Sequence, residues 1–432
     1  GSILAGERVG LLAGAFLALS FNHVLLSHFS KHWVIVIFLM TLVLYLALLW
    51  PVGRRGDAVI GFLCGLSFGA SLLGFFSWLY YLGVFIFKNR SEGSRMLLNK
   101  QLRLSLAIGA AVSLFFVIAH WHYFLWLFKK AGGAYITAGE PKSLGEYLSS
   151  FGYMISVFVH QEPLLFALAV AGMLTLAFRQ QYVALGGVCM VVVSYISYLY
   201  WFVHFESRYI SFLLPLTALM AGYGLEQVVA YCRSYGKWMA WSAVALVLCV
   251  PVVVVARLDY LLMQPDTRLE AKRWLEEHEK DALVVLSSGT SGVHLVSNRI
   301  ALTLQKQYGG LSLREELRLE KLQSEQDSSG VFSVNVRGWR EDKQKRGVLK
   351  AFIEKYGHEV KHVYYVVNYW TSNTLSDLDR AMIQNGMLIK KFDNGVGYVH
   401  LIHDFPDPVT ILFRMRSLGT TVEIYELSTV LI

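Results

Sequence analysis

At 432 residues, 55% of them hydrophobic and only 16% charged, with a mean hydropathy of +0.46, the chain is far more apolar than a soluble globular protein. Its formal net charge of +8 invites a nucleic-acid reading, but much of the basic excess lies in short loops between apolar runs, where it sets orientation in a bilayer, and nucleic acid is set aside on that ground. The four cysteines, Cys64, Cys189, Cys232 and Cys249, all lie in or beside apolar runs, so no disulfide framework is implied.

The composition changes near residue 264. Residues 1–264 predict a multi-span membrane domain and residues 265–432 an extracytoplasmic α/β domain, giving a polytopic α-helical membrane protein with about nine spans and a soluble tail. The chain opens Gly1-Ser2, with neither an initiator methionine nor a basic signal region, and the expectation is an N-terminal truncation.

A first apolar run covers residues 9–24, entered through Gly6-Glu7-Arg8, and a second covers 33–50. Arg54-Arg55 then reads as a cytoplasmic loop. Residues 58–87 are too long for one straight crossing and carry Gly65, Gly69 and Gly74, so they read as two short helices in a hairpin. A basic exit from Lys88 to Arg103 leads to a run at 104–128, then to a long polar connection at 129–148. The remaining runs are 164–178, 182–203, 209–231 and 238–262. The positive-inside rule holds at nearly every loop, Lys129 and Lys130 excepted, and it puts residues 265–432 outside.

Charges between two such runs are costly unless they serve something, and His204-Phe205-Glu206-Ser207-Arg208-Tyr209 places a histidine, a carboxylate and a guanidinium there. Arg208 is the first candidate for an anionic or phosphate-bearing ligand. A Glu206–Arg208 pair that only marks the headgroup level is the competing reading. All seven histidines of the first domain, His23, His28, His32, His120, His122, His160 and His204, fall at or near the outer ends of runs in this register. That pattern suits either a polar cavity opening outward or simple interfacial tolerance. His28 and His32 have the i, i+4 spacing of helical metal ligands but fall in a short loop, so no cofactor is certain and a divalent metal stays an open option.

In the tail, Asp266 or Thr267 caps a helix running to about residue 280, and residues 282–286 read as a buried strand. The following Ser287-Ser288-Gly289-Thr290-Ser291-Gly292 lacks the spacing of a phosphate loop and reads as an ordinary strand-to-helix connection. Helices are expected at 311–322, 340–356 and 373–384, and strands at 362–367, 409–415 and 421–425. Residues 387–392 and 397–402 read as a hairpin around Asn394-Gly395.

Three stretches resemble the polyprenyl-phosphate-sugar-dependent glycosyltransferases of the C-type fold, the group that includes dolichyl-phosphate-mannose protein mannosyltransferases and aminoarabinose transferases. Gly6 through Ser20 resembles that family's third span, Ser27 through Trp33 its short second outer loop, and Arg208-Tyr209 followed by Pro215 and Gly222-Tyr223-Gly224 its Arg-Tyr-x-x-Pro-x-x-Pro signature. Phe212 stands where the signature has its first proline, and Lys31 where the family often has arginine. The family's catalytic aspartate lies in a first outer loop that has no counterpart here, so it is expected upstream of Gly1 if the chain is truncated, and the chain is not a competent transferase if it is not.

The resemblance implies sugar transfer from a polyprenyl-phosphate-linked donor in the membrane lipid to a protein, lipid or glycan acceptor, on the outer face of what is expected to be a bacterial inner membrane. It assigns the donor phosphate to Arg208, with Tyr209, Lys31, His204, His28 and His32 as weaker candidates, and orienting or acceptor-side roles to Glu206, His160 and Glu162. Two other readings stay open: a non-catalytic membrane subunit whose α/β domain binds a partner, and an exporter of lipid-linked sugars, which predicts charges through the depth of the spans.

Overall fold

The computed structural model describes residues 6–28, 32–49, 54–89, 99–121, 143–202, 207–278, 282–287, 293, 295–308, 311, 313–324, 332–335, 350–351, 354, 360–369, 375, 377–397 and 409–428. The chain forms two compact units, one of residues 1–258 and 402–409, the other of residues 259–401 and 410–432.

In the first unit the helices are α1 (Glu7–Ala18), α2 (Phe21–His28), α3 (His32–Leu49), α4 (Arg54–Ala70), α5 (Phe76–Lys88), α6 (Lys100–Ala119), α7 (Leu144–Gln161), α8 (Pro163–Phe178), α9 (Tyr182–Phe202), α10 (Leu214–Arg233) and α11 (Lys237–Met263), the last counted in this unit as far as Leu258. Short 3-10 turns, Leu72–Phe75 and Ser207–Leu213, precede α5 and α10. The nine-span expectation is overturned. Among the described residues three helices are long and apolar enough to cross a membrane, Lys100–Ala119, Tyr209–Arg233 and Lys237–His278, or up to five if each of two bent pairs counts as one crossing.

The reason is that apolar run length does not distinguish a lipid-facing helix from one buried in protein. The run at residues 9–24 breaks by 51° between α1 and α2, and the pair α7 and α8 bends by 117°. Two further apolar helices, Trp33–Ala47 and Leu73–Ile86 among the described residues, are shorter than a straight crossing. Arg54 and Arg55 open α4 instead of forming a loop, and Asp57 in the same turn is buried, accepting from Tyr81 Oη at 3.0 Å. The sidedness read from the nine-span register loses its footing with it.

Helix α10 is the centre of this unit, with 78% of its apolar window buried, against 17% for α6 and 11% for the α11 helix. Its glycines explain how it is seated. A Cβ on Gly222 would lie 2.9 Å from both Val9 O and Ala13 N of α1, and one on Gly224 would collide with Leu168 O of α8. Gly172 of α8 meets Met220 O in return. Small residues thus let three backbones approach closely, as helix contacts need where side-chain burial alone does not drive association. Gly61, Gly65 and Gly69 do the same between α4 and α6, so of the glycines expected to break that segment only Gly74 lies at the break.

The second unit contains α12 (Thr267–His278), β1 (Ala282–Leu286), α13 (Arg299–Tyr308), α14 (Leu313–Ser324), β2 (Ser333–Asn335), β3 (His362–Tyr369), α15 (Asp377–Asn385), β4 (Gly386–Phe392), a 3-10 turn at Val409–Phe413 and β5 (Thr421–Leu427). The sheet order is β2-β1-β3-β5-β4, parallel from β2 to β3 and antiparallel beyond. Every residue of β1 is buried because both faces are covered, with Ala271 and Leu275 of α12 on one side and Ala301 of α13 and Met382 of α15 on the other.

Two expectations change here. Strand β4 pairs with β5, and of the hairpin partner expected at 397–402 only residue 397 lies among the described residues. Residues 409–413 form a 3-10 turn, not a strand. Helix α13 and strand β2 went unpredicted, and the helix expected at 340–356 falls almost wholly outside the described residues.

Candidate functional site

The Arg208 segment enters α10 through the 3-10 turn Ser207–Leu213. Tyr209 is buried, its ring 5.6 Å from that of Trp33, while Phe212 lies 6.5 Å from the same indole. Tyr195 Oη of α9 donates to Tyr209 O at 2.7 Å, and Tyr80 Oη of α5 donates to Phe212 O at 3.3 Å. A 3-10 turn leaves carbonyls that its own backbone does not saturate, and two buried phenols take them up. Pro215 sits in the first turn of α10, where its missing N–H is no loss.

Helices α2, α3 and α7 all pack on this turn. Elements carrying His28, His32 and His160 are thereby brought to the element carrying Arg208. His28 is exposed at the end of α2, and His160 is exposed with Nδ1 donating to Ser156 O at 2.7 Å. The backbones of His32 and Arg208 are placed at the start of α3 and in the turn. Lys31, His204 and Glu206 lie outside the described residues, as do the side chains of His32 and Arg208. Tyr209 points its ring into the aromatic packing on Trp33, which makes it a scaffold residue of the turn.

Glu162 occupies the 117° bend between α7 and α8, with only 7% of its surface exposed. Its Oε1 accepts from Ser20 Oγ at 2.6 Å and from Asn22 N at 3.0 Å, both at the 51° break between α1 and α2. Ser20 Oγ in turn accepts from His23 N at 3.3 Å, capping α2. One carboxylate therefore joins two helix breaks that are about 140 residues apart in the chain. A buried ion costs several kcal/mol unless hydrogen bonds and fixed dipoles replace water. Two donors and the N-terminus of α2, whose dipole favours negative charge, supply that replacement. Asn22, itself 4% exposed, has Nδ2 buried without a hydrogen-bond partner, and His23 Nδ1 is in the same position.

Ser20 and Asn22 were not among the predicted site residues. The available signal was a polar pair inside an otherwise apolar run at 9–24, next to a serine at cap position. Among the described residues no three His, Cys, Asp or Glu side chains converge as metal ligands.

In the second unit, Ser287 N donates to Val366 O at 3.0 Å, and the rest of the Ser287-to-Gly292 cluster lies outside the described residues. Of the two buried carboxylates described there, Asp379 accepts from Tyr365 Oη and Glu423 is engaged at both oxygens. Glu423 Oε2 accepts from Tyr369 Oη at 2.6 Å and Tyr425 Oη at 2.7 Å, and Oε1 pairs with Lys391 Nζ at 3.0 Å. Compared with protein-family models, with curated proteins and with solved structures, the chain matches none.

Proposed function

We propose that the chain is a membrane glycosyltransferase that moves a sugar from a polyprenyl-phosphate-sugar donor to an acceptor, with Arg208 holding the donor phosphate. One observation carries the reading: within the signature-like stretch, packing accounts for every described residue around Arg208. Tyr209 and Phe212 seat the turn on Trp33, Pro215 starts α10, and Gly222 and Gly224 admit α1 and α8. Arg208 itself stands on the turn against which α2, α3 and α7, the helices of His28, His32 and His160, pack. A planar fork of donors suits a phosphate there, and cations are what a departing lipid phosphate needs. Aromatic side chains around the turn fix the backbone that carries Arg208.

The test is binding and turnover by the full-length protein in reconstituted vesicles. Arg208→Ala should weaken polyprenyl-phosphate binding by about tenfold to a hundredfold, the worth of a charge-assisted hydrogen bond, and abolish transfer, with the thermal unfolding midpoint unchanged. Unaltered lipid binding would sink the assignment. Binding without any transfer would point to a non-catalytic lipid-binding subunit.

A further inference from the structure

Hydrogen bonding where the two helix breaks meet is incomplete in a patterned way. The two well-formed hydrogen bonds to Glu162 both fall on Oε1. The Phe21 N–H and the Asn22 amide also face this carboxylate, but Nδ2, buried, stays outside hydrogen-bond geometry with it. His23 follows in the chain with Nδ1 buried and unpartnered. Buried polar groups in native proteins are almost always satisfied, and an exception calls for a ligand, an ion or a water. An ionisable group buried in a helical membrane bundle marks a functional site by default, and broken helices are where such bundles build their binding sites.

The donor and acceptor types select among ligands. A cation satisfies Glu162 but meets the Asn22 amide donor head-on. A phosphate satisfies Asn22 but is repelled by the carboxylate. A hydroxyl group gives its hydrogen to the carboxylate and accepts from the amide with the same oxygen, and neighbouring hydroxyls on a ring extend this to His23. We propose that Glu162, Asn22 and His23 form a binding site for the hydroxyls of a sugar ring, separate from the phosphate-binding Arg208. The hydroxyl chemistry follows from the three side chains alone, whereas naming the ligand a sugar rests on the transferase reading.

The full chain in lipid vesicles is treated with dicyclohexylcarbodiimide, which enters apolar sites and modifies buried carboxyls, and modification of Glu162 is followed by mass spectrometry. The rate is measured alone, with the methyl glycosides of glucose, mannose, galactose and arabinose, and with tetrahydropyran, a ring of similar size without hydroxyls. At least one glycoside, present at roughly ten times its dissociation constant, should slow modification by about tenfold, and tetrahydropyran should not. Asn22→Leu removes Nδ2 but keeps the backbone N–H that Glu162 accepts, so the ratio of the rates without and with glycoside should fall to about one in the variant, whatever its unprotected rate.

The proposal is overturned if no glycoside protects, in which case the groups hold a structural water only, or if tetrahydropyran protects equally, or if Asn22→Leu is protected like the wild type. Sugar protection combined with unchanged lipid binding in Arg208→Ala would remove the transferase reading and leave this site standing. The reverse pair of results would remove this site alone.

Discussion

Glu162 and Glu423 are both buried carboxylates, and they differ in what surrounds them. Glu423 has its acceptors saturated by two phenols and an ammonium, which reads as a structural lock between β3, β4 and β5. Burial pushes its pKa up, but the hydrogen bonds from Tyr369, Tyr425 and Lys391 outweigh that and hold it below the ordinary carboxylate range. The same bonds work on the partners: burial and the bond to Glu423 push Tyr425 up to about 12, and the bond to Glu423 raises Lys391 against the opposing effect of burial. A folded-state pKa below the unfolded value means that Glu423 stabilises the fold fully above the unfolded pKa and loses that contribution as pH falls through the folded one. Thermal unfolding of the second unit should therefore weaken from neutrality down through the carboxylate range. In Glu423→Gln that acid-side slope should flatten, and stability at neutral pH should drop by about 1–3 kcal/mol. An unchanged pH profile in the variant would assign the slope to other groups. Lys391, nearly half exposed, adds little of its own because solvent screens it. At this scale the sequence marked Glu162 as polar in an outer turn but held no hint of Ser20 and Asn22 as its partners, since hydrogen bonds across about 140 residues leave no local pattern.

Among the elements, those that local rules specify were legible. Strand β1 matches its reading at residues 282–286 because an Ala-Leu-Val-Val-Leu run is too short for a helix and apolar on both faces. Helix α12 starts where Asp266 was expected to cap, its Oδ1 accepting from Arg268 N at 2.8 Å. What failed was whatever depends on partners. Strand β2 is three residues long and exists only through its parallel pairing with β1, and residues 409–413 are apolar enough for a strand but wind into a 3-10 turn. The glycines of the first unit mislead in the same way, because spacing alone does not separate a helix breaker from a packing contact. Gly224→Ala should cost about 1–3 kcal/mol or more, since the new methyl meets the Leu168 carbonyl and one helix must shift. Gly152→Ala, in α7 with nothing within 4 Å, is the control and should be neutral or stabilising by up to about 1 kcal/mol. Equal effects of the two substitutions on the unfolding midpoint would refute the packing role.

For the molecule as a whole, the span count turns on which apolar surfaces face lipid. Leu114, Phe115 and Ile118 of α6 and Leu246, Val250 and Val253 of α11 are exposed, whereas α10 hides its apolar residues among other helices. A photoreactive apolar probe dissolved in the bilayer should label α6 and α11 heavily and spare α10. Heavy labelling of α10 would contradict the arrangement. The seating of α10 also has a consequence in time. Its two glycine contacts are made by α1 and α8, both of which are synthesised before it. For a chain that enters the membrane as it is made, α10 arrives last into a groove whose walls already exist, so the ribosome's order of delivery matches the order of assembly. A circular permutant that presents α10 before α1 would offer the same residues in the opposite sequence and leave its close-approach faces unpaired until the walls arrive.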